Sequence, residues 1–193
     1  MTETTTRPAD RPMRADARRN YEALLAAARE VLTERGSEAT MEEIARRADV
    51  GVGTLYRHFP RRIDLIEAVY REDVDGIVAL ASDVSGRLAP WDALVAWLQG
   101  FVRYAEAKRT FLDELHEAFQ KCPEIAVSSR ERIGGAATAV LTRAQEAGVA
   151  RRDLDGADLM QLVGGMCMAR NATLAQNERL LTFVLDGLRP PVP

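Results

Sequence analysis

Scarce residue types set the first limits on this chain of 193 residues. The only cysteines, Cys122 and Cys167, lie far apart in the sequence and do not make a disulfide framework or a zinc site. No apolar run approaches membrane-spanning length, and the polar first residues lack the apolar segment of a signal peptide. We therefore expect a soluble, cytoplasmic protein without a metal or other cofactor. With no nucleophile motif and no phosphate-binding loop, we also expect that it is not an enzyme.

Aromatic residues make up 6% of the chain, and β-branched runs of the kind that form strands are rare. Apolar residues reach 47%, which is enough for a core, and alanine, leucine, arginine and glutamate favour helices. The composition therefore predicts an all-α protein. Apolar steps of three and four residues predict about nine helices, at about 16–35, 41–48, 52–58, 61–82, 90–107, 110–120, 123–148, 155–174 and 177–188. Residues 1–15 are predicted to form a flexible arm, and 190–193 a non-helical tail.

The uneven distribution of charge matters more than the net charge of −3. Residues 1–64 hold 12 arginines and 11 acids, a balance of +1, and the remainder carries −4. Within residues 46–62, five arginines stand against the single acid Asp49. A local basic stripe of this kind is typical of a surface that faces nucleic acid.

Residues 40–59 have the pattern of two short helices joined by a tight turn. Thr40 and Glu43 form a capping-box pattern at the start of the second helix, and Asp49-Val50-Gly51 interrupts the helical pattern. At 100° per residue, Val52, Leu55 and Phe59 share one side of the third helix and can pack on the first two. Gly53, Thr54, Arg57 and His58 fall on the opposite side, with Tyr56 at its margin. This arrangement predicts a helix-turn-helix.

The runs Thr40–Ala45 and Ala48–Phe59, preceded by Ala23–Gly36, closely resemble the signature of the TetR family of transcriptional regulators. Asp49 departs from the usual turn glycine, although Asp tolerates a left-handed backbone, and Gly51 replaces the usual serine cap. The resemblance implies a helix-turn-helix domain over 16–64 and an effector-binding and dimerisation domain over 65–189. It further implies a homodimer on a pseudopalindromic operator in double-stranded DNA, acting as a repressor that a small molecule releases.

The resemblance also implies roles for individual residues at the DNA. Arg57 is the best candidate for reading a base, since arginine is the commonest reader of guanine. Gly53 lets the backbone approach, and the remaining candidates are expected near phosphates: Thr40, Thr54, Tyr56, His58, Arg61 and Arg62. Arg46 and Arg47 are interpreted as a solvated helix face.

Aromatic stripes on the predicted fifth and sixth helices are candidates for the wall of an effector cavity, although such stripes also form cores. The candidate ligand-binding residues are Trp97, Phe101, Tyr104, Phe111, Phe119, Met166 and Asn171. Tyr104 and Asn171 are the expected polar anchors in a pocket for a largely apolar effector. The last two helices carry the expected dimer interface, with Leu162, Leu180, Val184 and Leu188.

Several alternatives remain open from the sequence. The protein could bind DNA without a ligand, or it could activate rather than repress transcription. Asp113, His116 and Glu117 share a helix face that could hold a metal, although a solvent-facing charged helix explains them as well. Cys122 and Cys167 could form a redox switch, although buried cysteines that act as small apolar side chains are commoner.

Overall fold

The computed structural model describes residues 10–109, 111–169 and 171–190, with side chains from Ala15 onward except that of Lys121. Across these ranges the chain forms nine α-helices, one short 3-10 helix and no strand. The predicted all-α fold is therefore confirmed. The chain divides into two compact units, residues 1–69 and 70–193, where the sequence suggested a boundary after residue 64.

The first unit contains three complete helices and the start of a fourth. They are α1 (Asp10–Arg35), α2 (Met41–Arg47), α3 (Val52–His58) and α4 (Arg62–Arg87), with a 3-10 turn at Gly36–Glu38. Helix α1 packs on α2, and α2 packs on α3. Leu24, Ala28, Leu32, Ile44 and Leu55 are fully buried and form the centre of this unit.

The second unit holds the rest of α4 and five further helices. These are α5 (Pro90–Arg109), α6 (Leu112–Lys121), α7 (Pro123–Glu146), α8 (Gly156–Cys167) and α9 (Leu174–Leu188). Helix α7 packs on α5, α6 and α8, and α9 packs on α5 and α8. Trp97 is completely buried, and its indole Nε1 donates a 3.0 Å hydrogen bond to the Ile77 carbonyl.

Several helix limits differ from the prediction. Helix α1 covers Asp10–Arg35, so it includes residues ahead of the predicted start at Asp16. Residues 10–15 of the predicted arm are therefore helical. Three predicted features lie outside the described residues: the rest of the arm (1–9), the start of the sixth helix at Thr110, and residues 191–193 of the tail. Helix α4 continues past Ser82 to Arg87 because the buried Val84 extends its apolar stripe.

The last two helices also differ from the prediction. Helix α8 ends at Cys167 rather than near residue 174, and α9 begins at Leu174 rather than at residue 177. The Thr173 side chain accepts a hydrogen bond from the Gln176 amide and thereby caps the start of α9. Helix α7 is continuous through Gly134 and Gly135, so these residues do not break it. Within the part of the chain that the structure describes, no helix has the length and apolar character needed to span a membrane.

Candidate functional site

The connection between α2 and α3 is a tight turn fixed by backbone hydrogen bonds. Asp49 adopts a left-handed conformation with φ of 54°, and the Val50 amide donates to the Ala45 carbonyl at 2.9 Å. The expectation that Asp would tolerate this turn is confirmed. Gly51 forms the N-cap of α3 without a side-chain bond, as its sequence position suggested. The turn therefore sets the direction in which α3 leaves α2.

Half of the predicted capping box is present at the start of α2. The Thr40 hydroxyl accepts a hydrogen bond from the Glu43 amide at 3.2 Å. The Glu43 carboxylate does not reach back to Thr40, because it lies 3.3 Å from the Arg35 guanidinium and 3.8 Å from that of Arg46. Thr40 remains exposed at the end of α2, where its hydroxyl is accessible from outside.

Helix α3 has one buried side and one exposed side. Leu55 and Phe59 are buried, as expected, but Val52 is 39% exposed. The prediction for Val52 was wrong because this residue lies in the first turn, ahead of the part of α3 that packs inward. Gly53 is exposed, and a β-carbon placed there would meet no atom within 4 Å. The surface at the start of α3 is therefore open to a partner.

Arg57 lies along the exposed side of α3. Its Nε donates to the Gly53 carbonyl at 3.1 Å, and its Nη2 donates to the Thr54 hydroxyl at 2.8 Å. No carboxylate among the described residues forms an ion pair with it. These two bonds to its own helix hold the guanidinium at the surface and leave further N–H donors available, since a guanidinium has five.

Tyr56 and His58 occupy the edges of the same surface. The Tyr56 hydroxyl donates to a Glu42 carboxylate oxygen at 3.3 Å. Partial burial and the Glu42 carboxylate raise the pKa of Tyr56 above its ordinary value, so its hydroxyl keeps the proton it needs as a donor. The half-buried His58 ring packs edge-on against Tyr21 of α1, with 5.9 Å between ring centroids. Both side chains are thus held by neighbouring helices.

The arginines around α3 differ in how they are engaged. Arg47 bonds Glu30 and Glu34 of α1, which fits the expectation of a solvated helix face and draws its charge away from α3. Arg61 pairs with Asp64, its Nε donating at 3.1 Å, and remains exposed. Arg62 is half-buried and donates to the Ala39 carbonyl and, at 3.5 Å, to that of Gly36. Arg62 therefore ties the start of α4 to the segment before α2.

The second unit contains a cavity of about 680 Å³. Its wall is formed by one face each of α5, α7 and α8, with Tyr70 of α4 and Phe119 of α6. Helix α8 can lie this close to α7 because of Gly156: a β-carbon there would lie 2.9 Å from the Thr138 Cα. The volume falls within the range of about 300–1,000 Å³ that small-molecule sites usually have.

Three of the seven candidate ligand-binding residues line this cavity: Phe101, Tyr104 and Phe119. Trp97 and Phe111 are buried in the core instead, because their rings point into the packed interior of the unit. Met166 lies on a part of α8 that does not face the cavity, and Asn171 is exposed in the turn after α8. Asn171 as a polar anchor was a wrong prediction, because the early end of α8 places it in a loop.

Sequence reasoning missed the main polar residues of the wall: Tyr70, Lys108, Arg130, Thr138 and Gln161. Lys108 is only 7% exposed, and its Nζ lies 3.6 Å from the centre of the Tyr104 ring and 4.1 Å from that of Tyr70. Helical spacing could have found Lys108, since it follows Phe101 and Tyr104 at steps of three and four. It was overlooked because a lysine near a helix end usually projects into water.

Helices α8 and α9 present an apolar surface to solvent. Phe183 is 72% exposed, Leu162 53% and Leu180 38%, and Val184 is half-buried beside them. Leu188 is buried inside the unit, where its carbonyl accepts a 2.9 Å hydrogen bond from the Arg151 amide, so it contributes little to this surface. Phe183, which was not among the predicted interface residues, is its most exposed member.

The alternative metal and redox sites find no support in the described residues. No three His, Cys, Asp or Glu side chains there are arranged so that they could hold a metal ion. Cys122 and Cys167 are both free. Burial raises the pKa of the Cys167 thiol to about 11, which disfavours the reactive thiolate and fits a small apolar role for this residue.

Comparison with known families gives two matches that together cover most of the chain. Residues 24–69 match the model described as bacterial regulatory proteins of the tetR family. Residues 89–190 match the model described as the C-terminal domain of SbtR-like transcriptional regulators. The first match contains α2, the turn and α3, and the second contains most of the cavity wall.

Individual relatives agree with these matches. The chain is 40% identical to the TetR regulator SCO0520 from Streptomyces coelicolor, with a TM-score of 0.80 over 89% of this chain and 99% of that one. It is 33% identical to a TetR regulatory protein from Mycobacterium vanbaalenii, with a TM-score of 0.76 over 92% and 99%. It is 26% identical to the transcriptional repressor KstR of Rhodococcus jostii, over 81% of this chain and 78% of that protein.

Proposed function

The chain belongs to the TetR family of bacterial transcriptional regulators, and on that premise we propose that it is a homodimeric repressor released from its operator by a small molecule. As a family member it is a DNA-binding regulator and not an enzyme. The observation that carries the effector part of the proposal is the cavity of about 680 Å³ within the second unit. We place its action in the cytoplasm, with the chromosomal DNA.

Helix α3 acts as the recognition helix in this proposal. Arg57 reads a base in the major groove, because its guanidinium is exposed and engaged only with its own helix. Gly53 lets the backbone approach the DNA, and the exposed Val52 can contact a thymine methyl group. These contacts lie in the first two turns of α3, which is where recognition helices of this kind meet base edges.

Phosphate contacts then fix the helix in the groove. Tyr56 and Arg61 are exposed donors on either side of α3, while Thr40, Thr54 and His58 supply further polar groups near it. Arg62 has a double role, because its bonds to Ala39 and Gly36 also hold the start of α2 in place. Binding therefore gains most of its affinity from contacts that do not depend on sequence.

The exposed apolar surface of α8 and α9 supports the dimer. An exposed apolar patch of this kind marks an interaction site, and a twofold axis allows the same surface to be used on both chains. Leu162, Leu180 and Val184 belong to this surface, together with Phe183. A twofold dimer presents two recognition helices, which requires half-sites about one helical turn, 34–36 Å, or a multiple of it apart.

The effector acts by preferring one geometry of the dimer. Tyr70 of the cavity wall lies on α4, the same helix that begins at Arg62. A ligand that binds more tightly when α4 is shifted stabilises the form in which the recognition helices no longer fit their half-sites. A hundredfold preference corresponds to about 2.7 kcal/mol.

Selection of bound sequences from random DNA, with the purified protein, tests the DNA part of the proposal. We expect two half-sites related by twofold symmetry, and enrichment of guanine in each that is lost with Arg57→Ala. A reporter gene placed behind the selected operator then distinguishes repression from activation. Recovery of a single half-site, or a rise in expression when the protein is added, would contradict the proposal.

A ligand-independent DNA-binding protein is the second candidate, and the cavity favours the ligand-controlled reading over it. The test is whether any compound that stabilises the protein against heat also releases the selected operator. If compounds bind within the cavity and operator affinity never changes, the ligand-independent reading is correct.

A further inference from the structure

We propose that the effector is an organic acid with an apolar body, whose carboxylate is bound by Lys108. This inference rests on the proposed function, since it names the class of molecule that the cavity would take. It changes the expectation of a largely apolar effector in one respect: the ligand carries an anionic group at one end.

The charge of the cavity wall favours an anion. Among the described residues that line it, Lys108 and Arg130 are cationic and none is acidic. Asp73 lies near enough to Tyr104 to help raise its pKa, but it is not among the residues that line the cavity. The described side chains that a carboxylate would meet at the wall are therefore cationic or neutral.

Lys108 is held in a position that suits a charged ligand. Its Nζ lies over the faces of Tyr104 and Tyr70, at 3.6 and 4.1 Å from the ring centres, and the residue is buried. Aromatic faces stabilise an ammonium group, and a charge-assisted bond formed at a buried site is stronger than the same bond in water. A carboxylate supplies such bonds.

Tyr104 and Tyr70 add a hydrogen-bonded pair of phenols beside the ammonium. Burial, together with its hydrogen bond to Tyr70 and the charge of Asp73, raises the pKa of Tyr104 well above its ordinary value. The phenol therefore keeps its proton at neutral pH. With Lys108 and Tyr70 it forms a polar cluster at the wall, while Phe101, Ile133 and Met160 line other parts of the cavity with apolar surface.

The two parts of the wall define the ligand. The polar cluster matches a single carboxylate, and the apolar remainder matches a hydrocarbon or aromatic body of a size that fits about 680 Å³. A sugar or nucleotide would leave many hydroxyl groups against apolar side chains, which is costly because buried polar groups need partners. An organic cation would face Lys108 and Arg130 with a charge of the same sign.

Matched sets of probes test this inference on the purified full chain. One set is decanoate, decanamide and decylamine, and the other is naphthoate, naphthamide and naphthylmethylamine. Within a set the body is constant and only the charge of the head group changes. Isothermal titration calorimetry at neutral pH gives each dissociation constant. We expect at least one acid to bind roughly tenfold to a hundredfold more tightly than its amide, as a hydrogen bond to a charged group contributes.

Variants assign the preference to Lys108. Lys108→Met keeps the length of the side chain and should remove most of the acid-over-amide preference while the amide binds as before. Lys108→Arg should retain part of the acid-over-amide preference. Arg130→Met measures how much of that preference comes from the second cation of the wall. Arg103→Met is the control, because Arg103 is an exposed cation of the same helix that does not line the cavity. Thermal unfolding of each variant confirms that it folds.

Three results would overturn the inference: amides or amines that bind as tightly as the acids, an acid preference that survives Lys108→Met, or a panel in which nothing binds. Operator release is measured separately, by fluorescence anisotropy of labelled operator DNA. An acid that binds through Lys108 but leaves the DNA complex intact would refute effector release and keep the site. Release by a neutral compound alone would refute the anion and keep the proposed function.

Discussion

Removal of the Phe183 side chain should weaken the dimer more than any other single truncation on the α8–α9 surface. Phe183 is 72% exposed in the single chain, whereas Leu162 and Leu180 are 53% and 38% exposed. Complete burial of such a side chain contributes about 1.5–3 kcal/mol. Since 72% of the surface is still exposed, about 1–2 kcal/mol is available to each chain on dimerisation.

In the proposed twofold dimer this effect doubles, because one substitution removes two side chains from the interface. Phe183→Ala should therefore cost about 2–4 kcal/mol of association free energy, which raises the dimer dissociation constant roughly thirtyfold to a thousandfold. Operator affinity should fall at protein concentrations below that constant. Sedimentation velocity over a dilution series measures the dissociation constant directly.

Val127→Ala provides the matched control for Phe183→Ala. Val127 is a 52% exposed apolar residue of α7, a helix that is not part of the proposed interface, and its removal should leave the dissociation constant unchanged. Unfolding by urea should show little loss of stability within the monomer for either variant, since both side chains are mainly exposed. If Phe183→Ala dimerises as the unmodified protein does, the interface lies elsewhere and the assignment of the α8–α9 surface is wrong.

Four further predictions concern the DNA surface, the turn and one ion pair. Arg57→Ala should cost about 1–3 kcal/mol in operator binding and relax the base preference at one position of each half-site. Tyr56→Phe should instead weaken binding to all sequences alike. Competition with a set of single-base operator variants distinguishes the two effects. The logarithm of operator affinity should fall linearly with the logarithm of salt concentration, despite the net charge of −3, and a flat dependence in anisotropy titrations would contradict the phosphate contacts. Asp49→Ala should destabilise the protein by about 1 kcal/mol, because φ of 54° is unfavourable for alanine; Asp49→Gly should be close to neutral in urea unfolding. Arg151 lowers the pKa of Asp153 to about 2. The stabilisation by this ion pair is therefore complete above the ordinary carboxylate pKa and is lost as the pH falls toward 2. In Arg151→Gln, an NMR titration should show a higher pKa for Asp153.

The helix-turn-helix could be predicted from the sequence because neighbouring residues determine it. Thr40 caps α2, Asp49 takes the left-handed turn, and Leu55 and Phe59 anchor α3 at helical spacing. The two errors concerned single side chains. Glu43 faces Arg35 of α1 rather than Thr40, a contact that the local capping pattern does not show. Val52 is exposed because the first turn of α3 lies outside the packed part of that helix.

The cavity could be predicted only in part, because periodicity shows which residues face inward and not what they meet there. Trp97 and Phe101 lie on the same face of α5, yet Trp97 is in the core and Phe101 lines the cavity. The Trp97 indole donates a hydrogen bond to the Ile77 carbonyl of α4, whereas Phe101 lies one turn further along, where the cavity begins. Asn171 failed as an anchor for a simpler reason, since α8 ends at Cys167.

The helix-turn-helix surface and the cavity are therefore encoded differently in this chain. The surface of α3 is formed by seven consecutive residues, Val52–His58. The cavity, in contrast, is lined by residues of five helices. Its buried cation, Lys108, lies against Tyr70, which is 38 positions earlier in the sequence. A substitution in any of the five helices can change the charge or volume of the cavity without affecting α3. Relatives that share the helix-turn-helix can thus have cavities of different chemistry, and under the proposed function the effector is inferred from the wall of this cavity. That wall is apolar over most of its area and places a buried ammonium between two phenols, which is the reason to search for the effector among organic acids.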